Sequence, residues 1–576
     1  MKYEFTRSFY KDASPLCTIR TIKAILKLVG IKTKIEEYQR SLDCYSCRLT
    51  LCNDNLYEYD IGANGKGMTR QLSQASAYAE LMERLQNKTL FREGLRYVVE
   101  RSKFSRGLRF QYFPDEVLKY TSANDLARIL RTYFPRSHKG ELRAANNAEK
   151  LIFVPFKILG SAVKRLLPIE IIRYNCSSTG MCAGNTREEA LCQGIYEIFE
   201  RYVLQRIFMS EESIPDIDLE TFSNTNIYKV IQRESKENGL LFRVKDCSLG
   251  GRFPVLGLLI VDKVQGRYTF RLGADYNIIT ALERCYTESF QGHNADMFVF
   301  SRYIPEYKST PNDYFKCRKN GTGHWPQYLL DQVCRKSRFP YIDFKSSEEC
   351  LRHCVHILRG MGHKVFYRDN SFLGFPTYHV FIPGLSETDA KFENVELLLK
   401  QRALTANAIP LLQRMPSLSE TEAKLLLADL KNCGKYINIF RWLSPGIGKK
   451  FTSLLRAGLA VRLKKFNDAY EALMVLISQL QESGVEVPLY YSALCASLYL
   501  KVMGNKGEME RRRAMEIYGK ELFTEVEQDV SENKRSFLNA YPNCFNCESC
   551  GMANNCAFNQ IVKLEAHLQS LQERRI

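Results

Sequence analysis

The sequence predicts an α+β protein over residues 1–400, followed by an all-helical part. Two observations carry this. Strand-like and helix-like segments interleave up to about residue 400 without the regular alternation of a doubly wound sheet. Beyond about residue 410 the strand signals fade and paired helical patterns replace them.

In order, Thr18–Val29 has helical periodicity. Cys47–Cys52 and Leu56–Ile61 alternate as paired strands, with Asn53-Asp54-Asn55 as their turn. Arg70–Leu85 is a strong helix, Leu151–Leu159 a buried strand and Arg187–Phe208 a long helix. Phe253–Val261 is a second buried strand, Thr280–Gln291 a third helix and Tyr378–Ile382 a further strand. Leu454–Leu463 with Asp468–Leu480, and Tyr490–Met503 with Gly507–Lys520, form two helix pairs. Their period of roughly 36 residues is near that of tetratricopeptide (TPR)-like repeats, an ordinary helical bundle being the plainer alternative. The expected units are residues 1–400, a helical part over 410–535, and a Cys-rich knuckle with a short helix from Gln560 over 536–576.

Composition narrows the class. The chain has 576 residues, 45% hydrophobic and 25% charged, which excludes a mostly disordered or collagen-like protein. Lys and Arg number 82 against 64 Asp and Glu, a net +18 that favours polyanionic or phosphate-bearing partners. The excess is spread along the chain, so direct nucleic-acid binding is not expected. The longest apolar run, Phe253–Val261, is about half of what a bilayer needs, and the first residues do not read as a signal peptide. Most of the 19 cysteines sit singly in apolar patterns, as Cys192, Cys285 and Cys495 do. Free thiols in a reducing cytoplasm are therefore expected, with no membrane partner.

The most informative feature is a repeated helical pattern. Glu80-x-x-Glu83-Arg84 recurs as Glu197-x-x-Glu200-Arg201. A spacing of three puts both carboxylates of a pair on one helical face. A third helix carries Glu283, Arg284, Glu288 and Gln291. Neighbours such as Ala77, Leu81, Ile195 and Phe199 are core-like, and buried carboxylates must be paired or bind a cation. Converging oxygens suit Mg²⁺, which completes its shell with water and phosphate. The competing reading pairs each Glu with its neighbouring Arg on a solvated face. Two glycine-containing loops, Gly62–Thr69 and Thr179–Thr186, precede the first two helices and can present backbone N–H groups, and Lys66, to phosphate. Neither satisfies the P-loop or dinucleotide fingerprint.

At these residues the chain resembles the YcaO superfamily. The matches are Asn64-Gly-Lys-Gly67 with Ser76-Ala-x-x-Glu80-x-x-Glu83-Arg84, and Gly184-Asn185-Thr186-Arg-x-Glu189-Ala190 with Glu197-x-x-Glu200-Arg201. The third helix adds Ala281-Leu-Glu283-Arg284-x-x-x-Glu288-x-x-Gln291-Gly292. The resemblance covers roughly residues 8–390 and is nearest to the stand-alone branch, which ends in a helical-repeat domain. It implies a YcaO-type fold that uses ATP and Mg²⁺ to phosphorylate and so activate a backbone amide of a peptide or protein. Methylthiolation of a ribosomal protein, thioamidation or heterocyclisation are the outcomes it implies. It makes Glu80, Glu83, Glu197 and Glu200 the Mg²⁺ ligands, with Arg84 and Arg201 offsetting phosphate charge or bracing the glutamates. It makes Lys11, Thr18, Asn185, Glu189, Glu283 and Gln291 nucleotide contacts, with Lys66, Ser76 and Glu288 beside them in the matching motifs. A homodimer is implied, as is the alternative of an ATP-binding accessory scaffold that docks a sulfur-transfer or radical enzyme. The family's Ser-Asn-Gly reads Ser178-Thr179-Gly180 here, and the chain ends Gln-Glu-Arg-Arg-Ile576 without the Pro-rich tail of azoline-forming members. Azoline formation is thus not expected, and any leader-binding partner is expected to be a separate chain.

The cysteines add a second signal. Cys544-x2-Cys547-x2-Cys550-x5-Cys556 can close around one metal centre, an iron–sulfur cluster or Zn²⁺. Cys44-x2-Cys47-x4-Cys52 falls on an expected hairpin whose alternation puts Cys47 and Cys52 on opposite faces, which argues against a three-ligand site. Cys350, His353 and Cys354 can share one helical face, with ordinary helix packing the plainer reading.

Overall fold

A computed structural model describes residues 11–39, 44–53, 56, 60–91, 115–135, 149–210, 212–289, 301–388, 408, 411, 414, 417–433, 451–482, 486–504, 507–531 and 557–573. The α+β expectation is met by three antiparallel sheets with helices between them. The first sheet has the order β1 (Thr33–Gln39), β2 (Tyr45–Leu51), β3 (Gly62–Gly67). It follows helix α1 (Pro15–Leu28) and is covered by α2 (Arg70–Gln86). β4 (Val117–Thr121), α3 (Ala123–Tyr133), β5 (Glu149–Ile158), β6 (Lys164–Pro168), α4 (Ile169–Cys176) and β7 (Met181–Ala183) come next, then α5 (Arg187–Met209).

The next sheet is built from β8 (Asp216–Ile217), β9 (Leu240–Asp246), β10 (Val255–Asp262), β11 (Arg267–Ala274) and β12 (Ser301–Arg302), in the order β12-β11-β10-β9-β8. Helix α6 (Asn226–Asn238) precedes β9, and α7 (Ile278–Glu288) follows β11. Then come α8 (Pro311–Asn320), α9 (Ser347–Gly360), β13 (Phe366–Asp369) and β14 (Thr377–Phe381). The last two strands complete a six-stranded sheet, β4-β5-β13-β14-β7, with β6 also on β5.

Two local expectations are corrected. The partners of β2 are Thr33–Gln39 and Gly62–Gly67, not Leu56–Ile61, and residues 54, 55 and 57–59 lie outside the described part. The glycine-containing segment before α2 is itself a strand rather than a loop. Its glycines serve close approach: a Cβ on Gly65 would stand 2.0 Å from Ser73 O, and one on Gly67 would stand 2.7 Å from Leu72 Cβ. Bare backbone on that face lets α2 lie directly on β3. Alternation turns Asn64 and Lys66 to the other side of the strand. The segment before α5 likewise contains β7, paired to β14 through Tyr378 and Cys182.

The three glutamate-bearing helices meet because of what each covers. α2 packs on β3 and touches β7 and β14, α5 packs on β7, β14 and β11, and α7 packs on β10, β11 and β3. Each N-terminus is fixed by its cap: Thr69 accepts from Leu72 N, Thr186 from Glu189 N, and Asn277 from Ile279 N and Thr280 N. Such caps contribute about 1 kcal/mol each.

Beyond residue 417 lie α10 (Glu420–Cys433), α11 (Phe451–Arg462), α12 (Phe466–Glu482), α13 (Leu489–Met503), α14 (Glu508–Tyr518) and α15 (Lys520–Ser531). They share a core of their own around Leu459, Leu473, Leu494 and Phe523. The last helix, α16 (Ala557–Glu573), does not join it. Its Ile561 and Leu568 are buried with Ile19, Ile22, Ala77 and Leu81 from α1 and α2. Among the described residues no helix is long and apolar enough to cross a membrane.

Candidate functional site

Helical spacing aligns Glu189, Gln193, Glu197 and Glu200 along α5. Glu197 meets the carboxylates of α2, and Glu200 stands beside it on α5. Burial, then Glu197 and Glu80, push Glu83 well above the usual carboxylate range, with Arg84 only partly opposing. Burial also raises Glu197, to about 7, against the pull of Arg201 and of the Gly180 N–H, which lies 3.3 Å from Glu197 Oε2. Glu80 and Glu200 add to the repulsion on Glu197.

The arginines brace this cluster. Arg84 bonds Glu80 on the same helix and donates to Gly62 O at 3.0 Å. Arg201 Nε lies 3.8 Å from Glu197 and its Nη1 4.0 Å from Glu200, and these carboxylates outweigh its burial to favour the cation further. Lys66 enters from β3 and pairs with Glu288 of α7. Burial, with Arg201 and Arg284 nearby, pulls Lys66 down to about 8 against the opposing Glu200 and Glu80. Three helices and a strand thus place Lys66, Glu80, Glu83, Glu197, Glu200, Glu288, Arg84, Arg201 and Arg284 in one charged cluster.

A second group adjoins it on the first turn of α5. Lys11 Nζ lies 3.2 Å from Glu189 Oε1, and Asp12 N donates to Glu189 Oε2 at 2.9 Å. Asn185 Nδ2 donates to the same carboxylate at 3.0 Å, and Thr18 Oγ1 donates to Asn185 Oδ1 at 2.6 Å. Burial raises Glu189, yet Lys11, Asn185 and the Asp12 N–H outweigh it and hold the carboxyl below its ordinary value. A cleft opens beside this group, lined among others by Lys11, Glu189, Gln193, Asp275, Asn277 and Arg284. Arg284 Nη2 donates to Gln193 Oε1 at 2.9 Å and lies 3.6 Å from Asp275, joining cleft and glutamates.

The sequence-predicted residues are therefore mostly brought together. Ser76 lies one helical turn before Glu80 on α2, and Glu283 is buried on α7. Gln291 and the cysteines Cys544, Cys547, Cys550 and Cys556 lie outside the described residues. Sequence reasoning did not single out Asp12, Asp275, Asn277 or Gln193. The run Asp275-x-Asn277 before a helix was a legible signal for one pair, because Asn277 is the cap and its N–H donates to Asp275 at 2.9 Å.

The donor set fits a divalent cation. Crowded carboxylates with raised proton affinity are what a bound dication relieves. Among the described residues no three His, Cys, Asp or Glu side chains form a ready-made metal cage. Mg²⁺ uses one or two protein carboxylates with water and phosphate, which paired glutamates can supply.

The family model described as YcaO cyclodehydratase, ATP- and Mg²⁺-binding, matches residues 64–386. The chain belongs to the YcaO family. Membership makes it a protein with an ATP- and Mg²⁺-binding, cyclodehydratase-like domain of the kind involved in peptide modification. It is 27% identical over 347 residues to the ribosomal protein S12 methylthiotransferase accessory factor YcaO of Escherichia coli, covering 56% of this chain and 57% of that one. It thus spans less than two thirds of that YcaO relative. An uncharacterized protein of Haemophilus influenzae is 24% identical over 504 residues, 83% of this chain and 84% of that one. Among solved structures, a heterocyclase in complex with substrate and cofactor aligns with TM-score 0.44 and 17% identity, covering 69% of this chain and 57% of that one. YcaO from Methanopyrus kandleri bound with AMPPCP and Mg²⁺ aligns with TM-score 0.43 and 18% identity, covering 67% of this chain and 95% of that one.

Proposed function

We propose that this chain uses ATP and Mg²⁺ to activate a backbone amide of a peptide or protein during its modification. The observation that carries this reading is the meeting of Glu83 and Glu197 from two helices, each with its proton affinity raised, beside Lys66. Glu80, Glu83, Glu197 and Glu200 would hold Mg²⁺. Lys11, Thr18, Asn185 and Glu189, with Lys66, Ser76, Glu283, Glu288 and Gln291, would surround the nucleotide. Bound Mg²⁺ supplies charge neutralisation on the phosphates. The chain's own part is positioning. Arg84 and Arg201 hold the glutamates in place through ion pairs, and Thr18 fixes Asn185, which in turn holds Glu189. The substrate amide oxygen attacks the γ-phosphorus, ADP departs, and an incoming nucleophile then displaces phosphate from the activated carbon. In this reading residues 1–400 carry the chemistry, the helices of 410–535 dock a partner and 536–576 hold a metal knuckle, iron–sulfur or zinc. The working form is a cytoplasmic homodimer.

A second reading is supported by the name of the E. coli relative, an accessory factor. There the chain binds ATP and docks a sulfur-transfer or radical enzyme without turning over by itself. Titration of MgATP calorimetrically into wild type and the Glu80→Gln/Glu197→Gln variant tests the site. Micromolar binding lost in the variant supports it, and no binding to folded wild type overturns it. Phosphate release in the same samples separates the two readings: turnover lost in the variant supports the enzyme, and binding without turnover supports the scaffold.

A further inference from the structure

Cys192 does not sit singly. α5 and α9 pack side by side, and the contact brings Cys192 to Cys350 and Cys354. Each of the three thiols lies within hydrogen-bonding reach of the other two. Tyr196 Oη, one turn along α5, lies 2.9 Å from Cys350 Sγ. Cys192 also donates to Ser347 O at 3.5 Å, at the start of α9. The three thiols differ in access. Cys350 and Cys192 retain 7% and 6% of their surface and line the cleft beside Lys11 and Glu189, whereas Cys354 is fully enclosed.

We propose that Cys350 is an oxidant-reactive thiol at the wall of this cleft, and that Cys192 is the thiol that closes a disulfide with it. The oxidant class is a small peroxide such as hydrogen peroxide, because Cys350 and Cys192 each leave only a small edge of surface to attack. The Cys350 thiolate attacks one peroxide oxygen, the O–O bond breaks and hydroxide leaves. Sulfur gives up two electrons and becomes a sulfenic acid. The Cys192 sulfur then attacks the Cys350 sulfur as its S–H proton departs. The S–O bond breaks, hydroxide takes that proton as water, and the disulfide remains. Hydrogen bonds from Cys192, Cys354 and Tyr196 favour the Cys350 thiolate over its burial, while Cys192 and Cys354 are driven well above the ordinary thiol value. Of the three thiols it is Cys350 that has the Tyr196 hydroxyl at 2.9 Å to stabilise its thiolate, and this contact assigns it the attacking role and leaves Cys192 to resolve. Cys354 is the poorer resolver, because bridging positions four apart on one helix must distort that helix, whereas Cys192 comes from a separate one.

The consequence is local. A bridge would tie the first turn of α9 to α5 at Cys192, next to Gln193 and three residues beyond Glu189, both of which line the cleft. Ser347 on that turn donates to Asp12 at 3.1 Å, so the Lys11–Asp12 segment would shift with it. This last step rests on the proposed nucleotide site; the bridge itself does not.

The experiment is peroxide treatment of the full chain, blocking of free thiols in denaturant, and tryptic mass spectrometry. Cleavage after Arg352 puts Cys350 and Cys354 on different peptides, so the linkage is read directly. The expected product joins the Cys192 peptide to the Cys350 peptide with loss of two hydrogens. It persists in Cys354→Ser and is absent in Cys350→Ser. In Cys192→Ser the Cys350 sulfenic acid accumulates and is trapped by dimedone. A bridge to Cys354, or peroxide reactivity of Cys350 no greater than that of exposed Cys17 and Cys334, overturns the proposal. MgATP added beforehand should slow bridging about tenfold by covering the cleft. Bridging that is indifferent to MgATP overturns only the link to nucleotide, not the thiol assignment.

Discussion

Glu197, on α5, raises the proton affinity of Glu83, on α2, across the contact between two helices that carry the same Glu-x-x-Glu-Arg pattern. Burial is the larger cause, so the pair is held in a place where two charges cannot both be comfortable without a cation. That tension yields the first prediction. Glu197 titrates near 7 in the folded metal-free chain, above its unfolded value, so the native state binds the extra proton between those values. Stability then falls as pH rises from about 4.5 to 7 and is regained on acidification through that window. Urea midpoints across that range, without and with Mg²⁺, should show the slope shrink when the ion is present. A Glu83→Gln variant should flatten it without Mg²⁺ and should lose MgATP affinity.

Thr18 reaches Glu189 only through Asn185. Thr18→Val should therefore weaken MgATP binding about threefold to tenfold, matching the ~1 kcal/mol of one hydrogen bond, while the melting temperature barely moves. Thr18→Ser should restore the affinity. A calorimetric titration of both variants reads the difference.

Gly65 lets α2 rest on β3. Gly65→Ala would press a methyl into Ser73 O and Ala77 N, both backbone. The expected loss is about 3 kcal/mol, read from denaturant unfolding, because neither neighbour can rotate away. Gly30→Ala, at an open position with φ +72°, should cost only about 1 kcal/mol from backbone strain.

α16 is predicted to stabilise the first sheet rather than the helical core. Ile561→Asp puts a carboxylate among Ile19, Ile22 and Leu81 and should cost about 3 kcal/mol. Hydrogen exchange should locate the loosening in α1 and α2. Loosening confined to α11–α13 would contradict the packing described here.

The glutamate pairs were legible because a spacing of three has one meaning on a helix, whatever surrounds it. Gly62–Gly67 was misread because glycine marks turns when judged by its neighbours in sequence. Here its missing side chain answers to a helix lying across it. Cys192 was read as solitary because Cys350 and Cys354 approach it only once α9 packs on α5. The docking of α16 beside α1 had no sequence signal beyond its own apolar period.

What the sequence determined by itself was the α+β class, the face on which each glutamate stands and the family to which the motifs belong. These follow from a helical period of 3.6 residues and from local hydrogen bonding, which need no distant partner. Only the tertiary structure decided which carboxylates share a space, which arginines brace them, that Lys66 meets Glu288, and that three thiols converge beside the cleft. Burial and the approach of remote charges set proton affinities, and both exist only after the sheets and helices have closed on one another.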